Sequence, residues 1–436
     1  MNAAHAEPAD GRSRFATMLA SAAVQDGAFA ALIVLSRITT LFGFAGPVAF
    51  LALTCLYAVL RASQVREVFT RCWMQFGFPV LALLSITWAE YQGITARASV
   101  QMALTAFAGL LLSQSPRPRA VLIGLFVGYA GYSGLSLIVG NTRPIGTTHE
   151  MALLGLGGEE KNYFADTAST GILLSLALIV PGLERRNLLM AAAAAACALL
   201  CAVATGRANS AGAVVATLVA VGLLMTLLVL RQRPPALKLL FASSLVLALL
   251  LGLAFYQQII ALAAQLSDKD AGLTGRGYLW YRAQFIVAQR PWLGIGYFGF
   301  WTPANPDAVG LWHYFDVRQE GTAFTFHNAY IQTQVELGAA GLVALVGSWL
   351  IGAIMLFRRF VLTHSLATCV WLSYLALQLA KTPVEPIRPG TLVAPTILLY
   401  LALGFGCFPI ARVREQSASA QRDRPGGAAL AAAAMR

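Results

Sequence analysis

Long apolar runs separated by short polar breaks recur along almost the whole chain. A helix rises about 1.5 Å per residue, so crossing a hydrocarbon core about 30 Å thick takes roughly 20 predominantly apolar residues. Runs at 27–43, 46–60, 73–89, 98–113, 120–139, 163–181, 187–204, 210–230, 238–256, 339–357, 364–381 and 391–408 meet or approach that length. They predict an all-α polytopic membrane protein of about twelve transmembrane helices. The first two runs also read as one kinked unit around Gly43 and Pro47.

The polar breaks set the organisation. Residues 1–26 form a polar, Ala-rich tail without the short apolar core and cleavage site of a signal peptide. About nine helices with short loops follow over 27–256, then a long loop over 257–338, about three more helices over 339–408, and a small, polar tail over 409–436 whose composition predicts disorder. A medium loop, 140–162, carries Arg143, His149, Glu159, Glu160 and Lys161. The long loop is rich in aromatics, among them Trp280, Tyr281, Trp292, Tyr297, Trp301 and Trp312, which a solvated linker would not be. It is therefore predicted to fold, with helical content after Gly277. Loops of that length are usually functional.

Charge adds the orientation. The chain is 58% hydrophobic and 11% charged, against about 25% charged in a soluble domain. Lys and Arg outnumber Asp and Glu by 31 to 19, a net +12. The basic residues lie in twos and threes at alternate breaks: Arg61, Arg66 and Arg71; Arg117 and Arg119; Arg185 and Arg186; Arg231, Arg233 and Lys238; Arg358 and Arg359. That is the positive-inside pattern, not a nucleic-acid patch, and it puts both termini in the cytoplasm and the two longer loops on the opposite face of a bacterial inner membrane. The six cysteines sit in or beside apolar runs, so neither a disulfide framework nor a zinc site is implied.

On the loop face, three residues stand out. Arg207, in Thr205-Gly206-Arg207, lies where two spans meet; a charge there is costly and needs a partner, and Gly206 leaves room for a close ligand approach, with a snorkelling interfacial Arg as the alternative. Arg276, in Thr274-Gly275-Arg276-Gly277, opens a helical stretch, so backbone N–H groups and a guanidinium can converge on a phosphate; a solvated Arg at a turn is the alternative. His327, in Phe324-Thr325-Phe326-His327-Asn328-Ala329-Tyr330, lies where the long loop re-enters the membrane, and an imidazole there can titrate as a general base. A lone histidine is more often structural; His149 and His313 are the rivals. Asp268-Lys269-Asp270 matches an acidic metal-binding triplet, but the central Lys works against a cation, and no metal or other cofactor is expected. Nucleotide-binding and nucleophile-elbow motifs are absent from the sequence.

These motifs together resemble the O-antigen ligase family. His327-Asn328, nine residues to Gly338, then Ala339-Ala340-Gly341 is similar to the family's His-[Asn/Ser/Gln]-x9-Gly-x2-[Gly/Thr/Tyr] signature. The Arg-led segment from Arg276 to Pro291-Trp292-Leu293-Gly294-Ile295-Gly296 resembles its second hallmark, and Arg207 matches an Arg before the mid-chain span, with Gly206 where many members have Ser. The likeness covers roughly the second half of the chain. It implies a transferase that moves O-antigen polysaccharide from undecaprenyl pyrophosphate to the lipid A-core oligosaccharide on the periplasmic face, with Arg207, Arg276 and His327 catalytic. Asn328, Tyr330, Arg318, Arg282, Lys269 and Trp280 are candidate substrate-binding residues. The donor, the acceptor and membrane lipids are the expected partners, and nucleic acid is not. An O-antigen polymerase or a protein O-oligosaccharyltransferase carries the same signature. A lipid-linked glycan transporter is the reading of another class, disfavoured because the ionisable residues gather on one face and the halves lack symmetry.

Overall fold

The computed structural model describes residues 21–145, 150–255, 258, 275–317 and 324–410, and these are helical almost throughout. In chain order the helices are α1 (Ala22–Ile38), α2 (Ala45–Leu60), α3 (Ala62–Arg71), α4 (Gly77–Leu84), α5 (Gln92–Ser113), α6 (Pro118–Val139), α7 (Lys161–Glu184), α8 (Leu188–Arg207), α9 (Ala211–Leu230), α10 (Pro235–Ala254), α11 (Arg276–Gln289), α12 (Pro306–Tyr314), α13 (Ala329–Leu362), α14 (Leu366–Lys381) and α15 (Ala394–Cys407). Each apolar run of the sequence has a helical counterpart. Among the described residues, seven helices are long and apolar enough to cross a membrane by themselves. The run at 73–89 is not one straight helix but α4 between two 3₁₀ turns, Trp73–Phe76 and Ser85–Thr87. The helix expected at 339–357 begins ten residues earlier, at Ala329, and breaks at Gly338. Gly43 (φ 47°) turns the chain between α1 and α2, so the first two runs are separate helices.

The chain divides into two compact units. The first, residues 1–64 and 115–209, packs α1 on α6 and α7 on α8 through small residues. Gly124 leaves no room for a Cβ beside the Gly27 carbonyl, and Gly171 receives the Cys201 sulfur, the close backbone approach that membrane helices use in place of a hydrophobic driving force. At one end of α1 the fully buried Asp26 accepts from Arg61 (2.9 Å), Arg117 (3.2 Å), Ser115 (2.9 Å) and Tyr57 (3.3 Å). Toward the other end lie a two-stranded antiparallel hairpin, β1 (Thr142–Ile145) and β2 (Glu150–Leu153), and the buried Glu159, which accepts from Tyr132 at 2.5 Å. Burial pushes the Glu159 carboxyl up to about 8, against the Tyr132 hydrogen bond and the Arg37 charge.

The second unit, residues 65–114 and 210–436, packs α15 on α5 and on α13, and α9 on α14. Its distinctive part is the segment between α10 and α13. There Leu279, Ala283 and Ile286 of α11, Leu311 and Trp312 of α12, and Ile295, Phe300, Phe326 and Val335 form a hydrophobic core of their own. Trp301 packs edge-to-face with Phe300 and Phe324 and tilted against Phe326. Part of the loop's aromatic content thus folds it, while Tyr281 and Trp292 remain exposed.

Candidate active site

The two motifs of the second unit are built into one another. Gly294 and Gly338 both adopt φ 62°, a conformation that costs glycine nothing. A Cβ on Gly338 would collide with the Trp292 backbone, and one on Gly294 with the backbone of Glu336. This crossing lets four backbone hydrogen bonds form: Ile295 N to Val335 O (3.2 Å), Gly296 N to Glu336 O (2.9 Å), Ala339 N to Pro291 O (2.8 Å) and Ala340 N to Trp292 O (3.1 Å). The break in α13 at Gly338 frees the carbonyls of Val335 and Glu336 from helical pairing, and the Pro-x-x-Gly-x-Gly turn takes them up.

Upstream of that clasp, α13 starts at the histidine. Asn328 caps the helix, its Oδ1 accepting from Tyr330 N (2.9 Å) and Ile331 N (3.0 Å), while its Nδ2 donates to Pro383 O (3.1 Å). His327, just outside the cap, is held at φ 47°, a strained position for a residue with a side chain and one characteristic of functional sites. Its backbone is fixed on both sides. Trp280 donates its indole N–H to Phe326 O (2.8 Å), and Phe326 N donates to Gln332 Oε1 (3.1 Å). Gln332 in turn donates to Glu336 (2.7 Å), whose Oε1 also accepts from Arg388 (2.7 Å) in an ion pair almost completely buried. Arg388 lies over the rings of Tyr297 and Phe298.

Arg276 opens α11 behind Gly275, which at φ 86° is a position for glycine and sits against Phe315. The guanidinium is directed at the segment after α14. Nη1 donates to Val384 O (2.8 Å), and Nη2 lies 3.4 Å from Glu385 Oε1. The other carboxylate oxygen of Glu385 is 3.7 Å from His327 Nδ1. One carboxylate therefore joins the arginine and the histidine that the two motifs supply separately.

The strap that brings Glu385, residues 382–390, is bonded to the start of α13: Ala329 N donates to Thr382 O (2.9 Å) and Thr382 Oγ1 to the Tyr330 hydroxyl (2.9 Å). Neither this strap nor Glu385 belongs to any of the sequence motifs described above. The available signal was Thr382-Pro383-Val384-Glu385-Pro386-Ile387-Arg388-Pro389, three prolines and two charges in a short break on the same face as the long loop. Of the remaining candidates, Arg282 lies 3.7 Å from Asp307 at the surface of α12, and His313 is exposed there. Arg207 ends α8, exposed, in the first unit. Arg318, Lys269, His149 and the Asp268–Asp270 triplet lie outside the described residues.

Residues 193–346, which contain Arg207, Arg276 and His327, match the family model described as O-antigen ligase. The chain is also similar to the exopolysaccharide production protein ExoQ of Rhizobium meliloti (strain 1021), 28% identical over 308 residues that cover 69% of each chain.

Proposed function

We propose, for a chain whose residues 193–346 carry an O-antigen ligase family domain within a polytopic membrane protein, that it transfers a polysaccharide from undecaprenyl pyrophosphate to a glycan hydroxyl on the periplasmic face of the inner membrane. The observation that carries this reading is the junction at Glu385, which unites a cation at a helix N-terminus with a strained histidine. Pyrophosphate binds at Arg276, where guanidinium and first-turn N–H groups stabilise the charge that grows as the bond from the anomeric carbon to the pyrophosphate oxygen breaks. His327 takes the proton of the acceptor hydroxyl as its oxygen attacks that carbon, and later gives it to water. Configuration inverts, and undecaprenyl pyrophosphate leaves with the bonding electron pair. Arg207 is retained as a catalytic candidate on the ground of the family resemblance alone. Holding two lipid-anchored substrates in line supplies much of the rate.

The acceptor in the leading reading is the lipid A-core oligosaccharide. The likeness to an exopolysaccharide production protein favours a second reading, in which the acceptor is another lipid-linked glycan and the product a longer chain. Expression in a ligase-deficient Gram-negative host, with lipopolysaccharide resolved on gels, separates the two. A restored O-antigen ladder, lost in His327→Ala and Arg276→Ala at equal membrane levels, supports ligation. No ladder in the protein's own glycan background, with longer lipid-linked glycans accumulating instead, supports polymerisation.

A further inference from the structure

Helix α10 is packed unlike the other long apolar helices of the described residues. Only 6% of its spanning stretch, Pro235–Gly252, is buried, against 33–78% for the other candidate spans. It is fastened at its first turn. There the buried Lys238 donates Nζ to Phe360 O (2.8 Å) and Thr363 O (3.4 Å), at the end of α13, and lies over the Phe360 ring. The turn that precedes α10 is held at the same place, with His364 Nδ1 2.6 Å from the Arg231 carbonyl oxygen. Further along α10, Leu245, Leu247, Leu249 and Leu250 are exposed.

Between α10 and helices α9, α13 and α14 lies a cavity of about 640 Å³, within the ordinary size range of a small-ligand site. Leu227, Phe241, Leu245, Phe357 and Leu372 are typical of its walls, and Arg358 is the one polar side chain in its lining. Packing does not account for that arginine. Its neighbour Arg359 turns inward, donates to Gly406 O (3.0 Å) and lies over the Phe405 and Phe408 rings, whereas Arg358 is exposed beside the apolar slot. Arg231, Arg233 and Lys238 gather at the same end of the helices. A basic rim on an apolar slot between membrane helices suits an anionic lipid: the guanidinium takes the phosphate through paired hydrogen bonds, and the aliphatic walls take the chains. A helix of a second copy would need small residues on the facing walls, and most of these are Leu, Val, Ile and Phe. We propose that this groove binds one anionic diacyl phospholipid, its chains lying along α10 and α13 and its phosphate on Arg358. The lipid supplies packing that α10 lacks, and the site is independent of the transferase reading above.

Native mass spectrometry of the full-length, delipidated protein in detergent tests this, with dioleoyl phosphatidylglycerol titrated against dioleoyl phosphatidylcholine. The first phosphatidylglycerol should bind at least about fivefold more tightly than phosphatidylcholine. Arg358→Gln should abolish that preference and leave phosphatidylcholine binding as it was. Ala242→Phe, which places a ring in the cavity, should weaken both lipids. Arg66→Gln, at an exposed arginine outside the lining, should change neither. Equal binding of the two lipids by the wild type overturns the proposal, and so does a preference that survives Arg358→Gln. An equal loss in Arg66→Gln means diffuse surface charge and overturns it as well. A dimer mass that Ala242→Phe removes gives the groove to a second copy. Exchange of bound phosphatidylglycerol for undecaprenyl phosphate at equal concentration gives it to a carrier lipid, and either result displaces the phospholipid. Should Ala242→Phe fail to insert, the comparison of Arg358→Gln with Arg66→Gln decides alone. No arm measures glycan transfer, so none of these outcomes bears on the transferase reading.

Discussion

At the residue scale, the site depends on groups whose chemistry a similar residue cannot supply. Arg276 spans Val384 O and Glu385 with separate guanidinium nitrogens, so Arg276→Lys, a point charge, should keep insertion but lose most transfer, on the order of the hundredfold or more that removing a charge-stabilising donor costs. Gel analysis of lipid-linked product at matched expression decides it; near-normal activity in the lysine variant would refute a fork-shaped contact. Arg388→Met is a stability prediction instead. Removing one member of a buried ion pair leaves Glu336 charged and unpaired, and the expected loss is about 3–5 kcal/mol. Thermal unfolding in detergent measures it, and Glu336→Gln in the same background should recover part of the loss.

At the scale of the element, most spans were legible because hydrophobic length is a local property; the run at 73–89, broken by two 3₁₀ turns, and the early start at Ala329 are the departures. Arg276 stood out because glycines flank it at a helix start, and His327 because it lies where the long loop re-enters the membrane. Glu385 did not, since its meaning comes from tertiary contact between a proline-rich strap and two distant motifs, and a single glutamate between prolines carries no periodic signal. Nor did composition show that Trp280 and Asn328, expected to meet substrate, use their side-chain N–H groups to fix the backbone at Phe326 and Pro383. The glycine clasp yields the prediction for this scale. Gly338→Ala places a Cβ into the Trp292 backbone at a φ that costs about 1–3 kcal/mol for a side chain even without the collision. Activity should vanish with protease sensitivity rising in the long loop, whereas Gly347→Ala, in open space on the same helix, should be silent.

On the scale of the whole molecule, each unit has its own buried charge device. In the first unit, Glu159 is neutral at and below neutral pH because burial raises its carboxyl from 4.5 to about 8. A carboxyl raised on folding binds its proton more tightly in the folded state, so its contribution is complete below the ordinary carboxylate range and declines as pH rises toward 8. Thermal stability should fall over that window, and Glu159→Gln should flatten the fall; an identical slope in the variant would rule out Glu159 as its source. In the second unit the ion pairs beside the two motifs are Arg388 with Glu336 and Glu385 with Arg276 and His327.

The signature's nine-residue spacing also has a meaning in turns of helix. Residues 329–337 are the stretch of α13 between the Asn328 cap and the break at Gly338, about two and a half turns. One end aims the imidazole and the other docks on the Pro-x-x-Gly-x-Gly turn, so adding a single residue would rotate the cap by about 100° relative to the clasp and turn the base away from the strap. An insertion anywhere in residues 329–337 should therefore abolish transfer even where it leaves the helix itself intact.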